Sequence, residues 1–133
     1  MKPVVASGKR KRAIAKAILT QGNGLVRVNK IPLDSLNQEM YKLKMSEPLI
    51  IAGNAAGKVD IDITVAGGGM SSQAEASRLA IAKVLVEFTK DEKLRETFLN
   101  YDRNMLVADV RRKEPAKPNR HGQARSKVQK SYR

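Results

Sequence analysis

From Arg112 to Arg133 the sequence contains one aliphatic side chain larger than alanine, Val128, among two prolines, one glycine and nine charged residues. Such a stretch cannot bury enough apolar area to offset an ordering entropy of ~1–2 kcal/mol per residue. The core must therefore come from the preceding residues, and the end of the chain is expected to be an arm that orders on a partner. The 133 residues suit one domain. The division follows: a globular α/β domain with a basic N-terminal strand over 1–110, and an extended basic tail over 111–133.

The charge repeats this division. Residues 1–16 carry Lys2, Lys9, Arg10, Lys11, Arg12 and Lys16 with no acid, for +6. Residues 111–133 carry Arg111, Arg112, Lys113, Lys117, Arg120, Arg125, Lys127, Lys130 and Arg133 against Glu114 alone, for +8. The body between them sums to −1, so the whole net charge of +13 lies in the two ends. A charge kept for solubility would be spread over the surface; two basic segments instead point to a polyanionic partner, nucleic acid first.

Several classes of chemistry find no residues to carry them. The chain has no cysteine, which leaves no disulfide, thiolate metal site or cysteine nucleophile and fits a reducing compartment. His121 is the single histidine, too few for the common zinc sites and without the partners of a triad. No apolar run approaches the roughly 20 residues that span a bilayer, and the apolar patch at Val4–Ala6 is too short for a signal peptide. A soluble, intracellular protein is expected, with no catalytic residues, metal, cofactor, small-molecule substrate or membrane contact.

Along the chain, residues 11–20 alternate Ala13, Ala15, Ala17 and Leu19 with Arg12, Ile14, Lys16 and Ile18. This reads as a strand whose alanine face admits a closely packed helix. Gly22 and Gly24 mark a turn before a second strand over 25–29, which predicts a hairpin over 11–29. Pro32 with Asp34 or Ser35 should open a helix to about Met45, interrupted by Pro48 and followed by a short helical piece over 49–52. Residues 57–66 form the clearest strand, with Val59, Ile61, Ile63 and Val65 on one face and Lys58, Asp60, Asp62 and Thr64 on the other. Ser71 or Ser72 should cap a long helix over 74–89, Asp91 a second helix to about Tyr101, and 106–110 should form a last strand. The expected fold is an α/β sandwich, a small sheet backed by helices.

Three motifs could carry chemistry. The run Lys9, Arg10, Lys11, Arg12 on an extended segment can reach RNA phosphates on two sides, and Lys16 extends it. An edge strand protected by lysines would need fewer cations. A nuclear localisation signal would explain this run but not the C-terminal one. Gly67, Gly68 and Gly69 before a helix offer free N–H groups and the positive end of a helix dipole to a phosphate; the bland alternative is a tight turn. This loop lacks the Gly-Lys-Ser/Thr ending of a P-loop. It has some likeness to the Gly-Ser-Ser-Ala loop of the galactokinase and homoserine kinase superfamily, but the chain is under half the length of those kinases and places no acid as a base. Asp60 and Asp62 share a strand face, yet their apolar alternation and neighbouring Lys58 favour a solvated face over metal or acid/base work.

Together these segments resemble the universal family of small-subunit ribosomal protein number nine. The likeness rests on Ser7-Gly8-Lys9-Arg10-Lys11-Arg12 with the alternating strand after it, and on Gly22 and Gly24 before Val26-Arg27-Val28-Asn29. It continues through Gly67-Gly68-Gly69 with Gln73-Ala74 and Arg78, Asp109-Val110-Arg111 entering Lys113-Glu114, and Gln123-Ala124-Arg125 with Gln129-Lys130-Ser131-Tyr132-Arg133. That ending resembles the archaeal and eukaryotic branch, and the short N-terminus with its four-cation run favours the archaeal one. Pro115 and Asn119–His121 depart from the lysine- and glycine-rich stretch usual in the family.

The resemblance implies a left-handed βαβ crossover, where general topology rules would give a right-handed one. It implies binding to the head of the small ribosomal subunit, beside other ribosomal proteins, with a tail that threads ribosomal RNA toward the anticodon stem-loop of peptidyl-site tRNA. The expected ribosomal RNA contacts are Lys9, Arg10, Lys11, Arg12, Lys16, Gly67, Gly68, Gly69, Gln73, Arg78, Arg111, Arg112, Lys113, Lys117, Arg120, Arg125 and Lys127. Lys130, Tyr132 and Arg133 are the expected tRNA contacts. The alternative is a free-standing RNA chaperone or another nucleic-acid-binding protein.

Overall fold

A computed structural model describes residues 2–125. Two alternating strands found in the sequence lie side by side at its centre. In β2 (Ala13–Gln21) the residues Ala13, Ala15, Ala17 and Leu19 are buried, and in β5 (Val59–Ala66) so are Val59, Ile61, Ile63 and Val65. They pair antiparallel, with Ala17 opposite Ile63, so one sheet face is continuously apolar and the other is wet.

The remaining strands are β1 (Val4–Arg10), β3 (Val26–Val28) and β4 (Ile31–Pro32), and the sheet order is β1-β2-β5-β3-β4. β1 runs antiparallel to β2 and β4 antiparallel to β3, whereas β3 lies parallel to β5. The crossover between that parallel pair is carried by α1 (Glu39–Ala52). The long helix α2 (Met70–Thr89) lies over β1 and β2, and α3 (Glu92–Tyr101) inserts Phe98 into the core. The result is the expected small sheet backed by helices, a mixed α+β fold. As expected, Asp91 caps α3, its carboxylate accepting the N–H of Lys93 at 3.0 Å.

Several local expectations are corrected. The hairpin over 11–29 does not form, because β5 lies between β2 and β3. The carboxylates of β5 draw β3 to that side: Asp60 accepts the N–H groups of Asn23 and Leu25, both at 2.9 Å, and Asp62 is forked by Arg27 at 2.7 and 2.9 Å. These two residues fasten the sheet and do not merely decorate a solvated face. Asn29 adds an amide pair to the backbone of Val65, at 3.0 and 3.2 Å.

The helix foreseen from Pro32 begins at Glu39, after a 3₁₀ turn over Leu33–Ser35, and passes uninterrupted through Pro48. Proline costs a helix interior about 3 kcal/mol intrinsically. Here its ring is buried and α1 packs along α2, so tertiary contact overrides the local preference. Helix α2 starts at Met70, with Gly69 as its cap residue and Ser71 and Ser72 inside its first turn. Residues 106–110 form no strand: the chain leaves the body irregularly, with Val110 87% exposed.

Candidate nucleic-acid interface

The turn joining β1 to β2 holds Lys11 in the left-handed region at φ 52°, followed by Arg12, so the four-cation run bends through a tight hairpin. Against this turn lies the glycine loop between β5 and α2. Gly67 and Gly68 have φ of 80° and 64°, and a Cβ on Gly67 would stand 2.6 Å from the carbonyl oxygen of Arg12. Glycine is required there both for the backbone angle and for the close approach. The amide of Gln73 donates to the carbonyl of Gly67 at 3.0 Å and closes the loop onto the first turn of α2.

The root of the tail makes the third wall. Between it, the hairpin turn and the start of α2 opens a cleft of about 850 Å³. Its walls bring together Arg10, Lys11 and Arg12, then Gly68, Gly69 and Ser72, then Arg111, Arg112 and Lys113, with Glu114 the one carboxylate among them. Lys11, Arg12 and Lys113 are exposed and make no ion pair among the described residues. Gly69 supplies no side-chain cap to α2, so the positive end of that helix also opens on the cleft. Free cations, a helix N-terminus and a shaped concavity suit a phosphate group.

Other candidate residues fall elsewhere. Lys9 and Lys16 are exposed and project from the sheet face opposite α2, next to Ile14 and Ser7 across the β1–β2 ladder. Lys117 and Arg120 are exposed on the tail, where the N–H of Lys117 donates to Gln123 at 3.1 Å and that of Gln123 to Arg120 at 3.1 Å. Arg125 grips Glu114 at 2.6 and 3.1 Å. His121 is exposed in the same fold-back. Lys127, Lys130, Tyr132 and Arg133 lie outside the described residues.

Two arginines expected at RNA are engaged inside the protein. Arg78 is 8% exposed; its guanidinium bonds Asp102 at 2.9 Å and pairs with Glu47, joining α2 to α1 and to the segment after α3. Arg10 donates its Nε–H to Glu75 of α2 at 2.6 Å, and its Nη1 lies 2.8 Å from an Asp109 oxygen as an ion pair without hydrogen-bond geometry. Glu75 also accepts from Lys44 of α1 at 2.8 Å. Burial would raise the Glu75 carboxyl, but the bonds from Lys44 and Arg10 outweigh it and hold it below its ordinary range.

Asp109 is forked by Arg111 at 2.8 and 3.0 Å and accepts the Arg111 N–H at 2.9 Å, which together hold its carboxyl far below the usual carboxylate range. This acidic set, Glu47, Glu75, Asp102 and Asp109, was not legible in the sequence, because its partners Arg10, Lys44 and Arg78 lie far from it along the chain. The one signal was Asp109 standing two residues before Arg111 at the entry to the basic tail. Among the described residues no cluster of acids and histidine could hold a metal ion, and no helix is long and apolar enough to cross a membrane.

The fold and cleft define a small basic α+β protein with a cationic concavity at the root of a basic arm. The family model of ribosomal protein S9/S16 matches residues 8–133, and the chain belongs to this family of ribosomal proteins. A relative from Methanococcus vannielii, called small ribosomal subunit protein uS9, is 47% identical over 134 residues that cover both chains completely. Relatives of the same name from two strains of Methanococcus maripaludis, C7 and C5, are 48% identical over the same span. The family expected from the sequence motifs is the family found, and these relatives agree with the archaeal branch.

Proposed function

We propose that the chain is a structural constituent of the small ribosomal subunit, placed in its head among other ribosomal proteins and held there by ribosomal RNA. Two basic segments far apart in sequence converge with the glycine loop at the start of α2 on one cleft, and that observation carries the reading. Phosphates seat against Lys11, Arg12 and Lys113 at the start of α2, while Lys9 and Lys16 offer a second basic surface on the open sheet face. Arg111, Arg112, Lys117, Arg120, Arg125 and Lys127 neutralise RNA along the arm. Its last residues, Lys130, Tyr132 and Arg133, contact the anticodon stem-loop of peptidyl-site tRNA. At ~3.3 Å per residue, the 23 residues from Arg111 onward would span about 75 Å when extended, ample reach for a second RNA partner.

Phosphate contact releases counterions, so RNA affinity should fall with salt at a log–log slope of roughly 0.7–0.9 per neutralised phosphate. Replacing Lys11, Arg12 and Lys113 together by alanine should lower that slope by about 2 to 3 and weaken binding to all sequences alike. A slope unchanged by the triple variant would remove the cleft from the interface. Retention on small subunits through a high-salt wash separates this role from that of a free-standing RNA chaperone, which would wash off. Deleting the last three residues should spare assembly and weaken retention of peptidyl-site tRNA.

A further inference from the structure

After Leu106, whose side chain packs on the core, the tail root has no strand ladder and no buried apolar residue to hold it. A side-chain tie from the root to the body runs through Asp109. That carboxylate meets Arg10 Nη1 at 2.8 Å, with the two side chains only 16% and 14% exposed. Arg10 in turn is braced by Glu75 at 2.6 Å, and Glu75 by Lys44, so the tie runs from the tail root through β1 into α2 and α1. On its other side Asp109 accepts the N–H and the guanidinium of Arg111, and Arg112 donates to the Asp109 carbonyl at 2.9 Å. One carboxylate thus fixes both the place where the tail leaves the body and the direction in which it turns.

We infer that Arg10 and Asp109 are positioning residues: their half-sheltered ion pair pins the tail root so that Arg111–Lys113 face the hairpin turn, and the phosphate-binding cleft exists only while the pair holds. This rests on the cleft being the phosphate site. Its consequence opposes simple electrostatics. Removing an acid from a chain of net charge +13 should tighten its hold on any polyanion. Removing Asp109 should loosen it, because the third wall of the cleft is then no longer held against the other two.

Glu114 supplies the contrast. It also lines the cleft and also pairs with an arginine, but its partner is Arg125, and the side chains are 49% and 81% exposed. Such a pair lies within the tail, is solvent-screened and contributes little to position. Asp109→Ala and Glu114→Ala change the net charge equally, so any difference between them reports geometry.

The test uses the full chain and a short fluorescent polyuridine oligonucleotide at low and moderate salt. Glu114→Ala, which removes an acid from the cleft and frees Arg125, should bind it more tightly than the wild type. Asp109→Ala should bind about fivefold more weakly, and Asp109→Glu, which keeps the charge, should recover part of the loss. Because the chain has no cysteine, labels at Glu87→Cys on α2 and Lys117→Cys in the tail are unique. Their distance distribution should be narrow in the wild type and broad in Asp109→Ala, while a thermal melt shows the body still folded. If Asp109→Ala tightens binding as Glu114→Ala does, or if the distances do not broaden, Asp109 is not a positioning residue. A wild type that binds the oligonucleotide without salt dependence would instead overturn the cleft itself.

Discussion

Gly8 in β1 lies directly beneath Ala76 in α2: a Cβ placed on Gly8 would stand 2.2 Å from the carbonyl oxygen of Ala76 and 2.8 Å from the N–H nitrogen of Ala80. The helix therefore rests backbone-to-backbone on the edge strand. This contact sets the height of α2 over the sheet, and with it the position of the helix start that opens on the cationic cleft.

Gly8→Ala should consequently destabilise the fold by about 1–3 kcal/mol, the usual cost of overpacking a filled core. The neighbours in the way are helix backbone atoms and cannot turn aside as a side-chain tip would. Denaturant unfolding measures the loss. A change below about 0.5 kcal/mol would mean that α2 shifts freely, and the rigid seating of the cleft would fall with it.

Arg78→Ala should cost on the order of 2–3 kcal/mol, because it leaves Glu47 and Asp102 without their shared cation. The loss stays below that of a fully buried pair, since both acids keep about a third of their side-chain surface in water. Its effect on RNA should be slight: the salt slope should match the wild type under conditions where both are folded. A lowered slope with unchanged stability would make Arg78 an RNA contact, as the sequence led one to expect.

Acid should weaken the fold. Asp60 is held below its ordinary pKa by the N–H groups of Leu25 and Asn23. For Asp102, burial works in the opposite direction but is outweighed by the bonds from Arg78 and the Asn104 N–H. With Glu75 and Asp109 also lowered, the folded chain binds fewer protons than the unfolded one in the acid range. Stability therefore rises with pH through that range. The melting temperature should be nearly flat from about pH 7 to 5 and drop below about pH 4, where unfolded carboxylates take up protons. Asp60→Asn should be less stable than the wild type at neutral pH, by an amount that shrinks as pH falls; a constant difference would sink this account.

The legible parts of the fold were those governed by local periodicity. Alternation in 13–19 and 59–65 announced two half-buried strands, and the apolar spacing beyond residue 74 announced a long helix, because each pattern needs only its own neighbours in sequence. Asp91 was readable as a cap for the same reason. Pro48 misled, since its local penalty is real but its burial against a second helix cannot be read locally. Residues 106–110 misled likewise, having the apolar residues of a strand but pairing with neither edge of the sheet.

The candidate site divides in the same way. Its charge was evident in the counts of residues 1–16 and 111–133, and Gly67–Gly69 stood out as a turn before a helix. Nothing in the chain order, however, showed that these three segments meet. Nor did it show that Arg10 and Arg78 spend their charge on internal carboxylates while Lys11, Arg12 and Lys113 keep theirs exposed.

By itself, then, the sequence determined the family, the class of fold, the basic ends and the polyanionic character of the partner, all of which depend on residue type, order and local period. The tertiary structure alone decided that β3 joins β5, that the cleft has three walls, and which cations remain free. These depend on distances between residues separated by tens of positions, and short-range ion pairs and close packing act through such distances whatever the order along the chain.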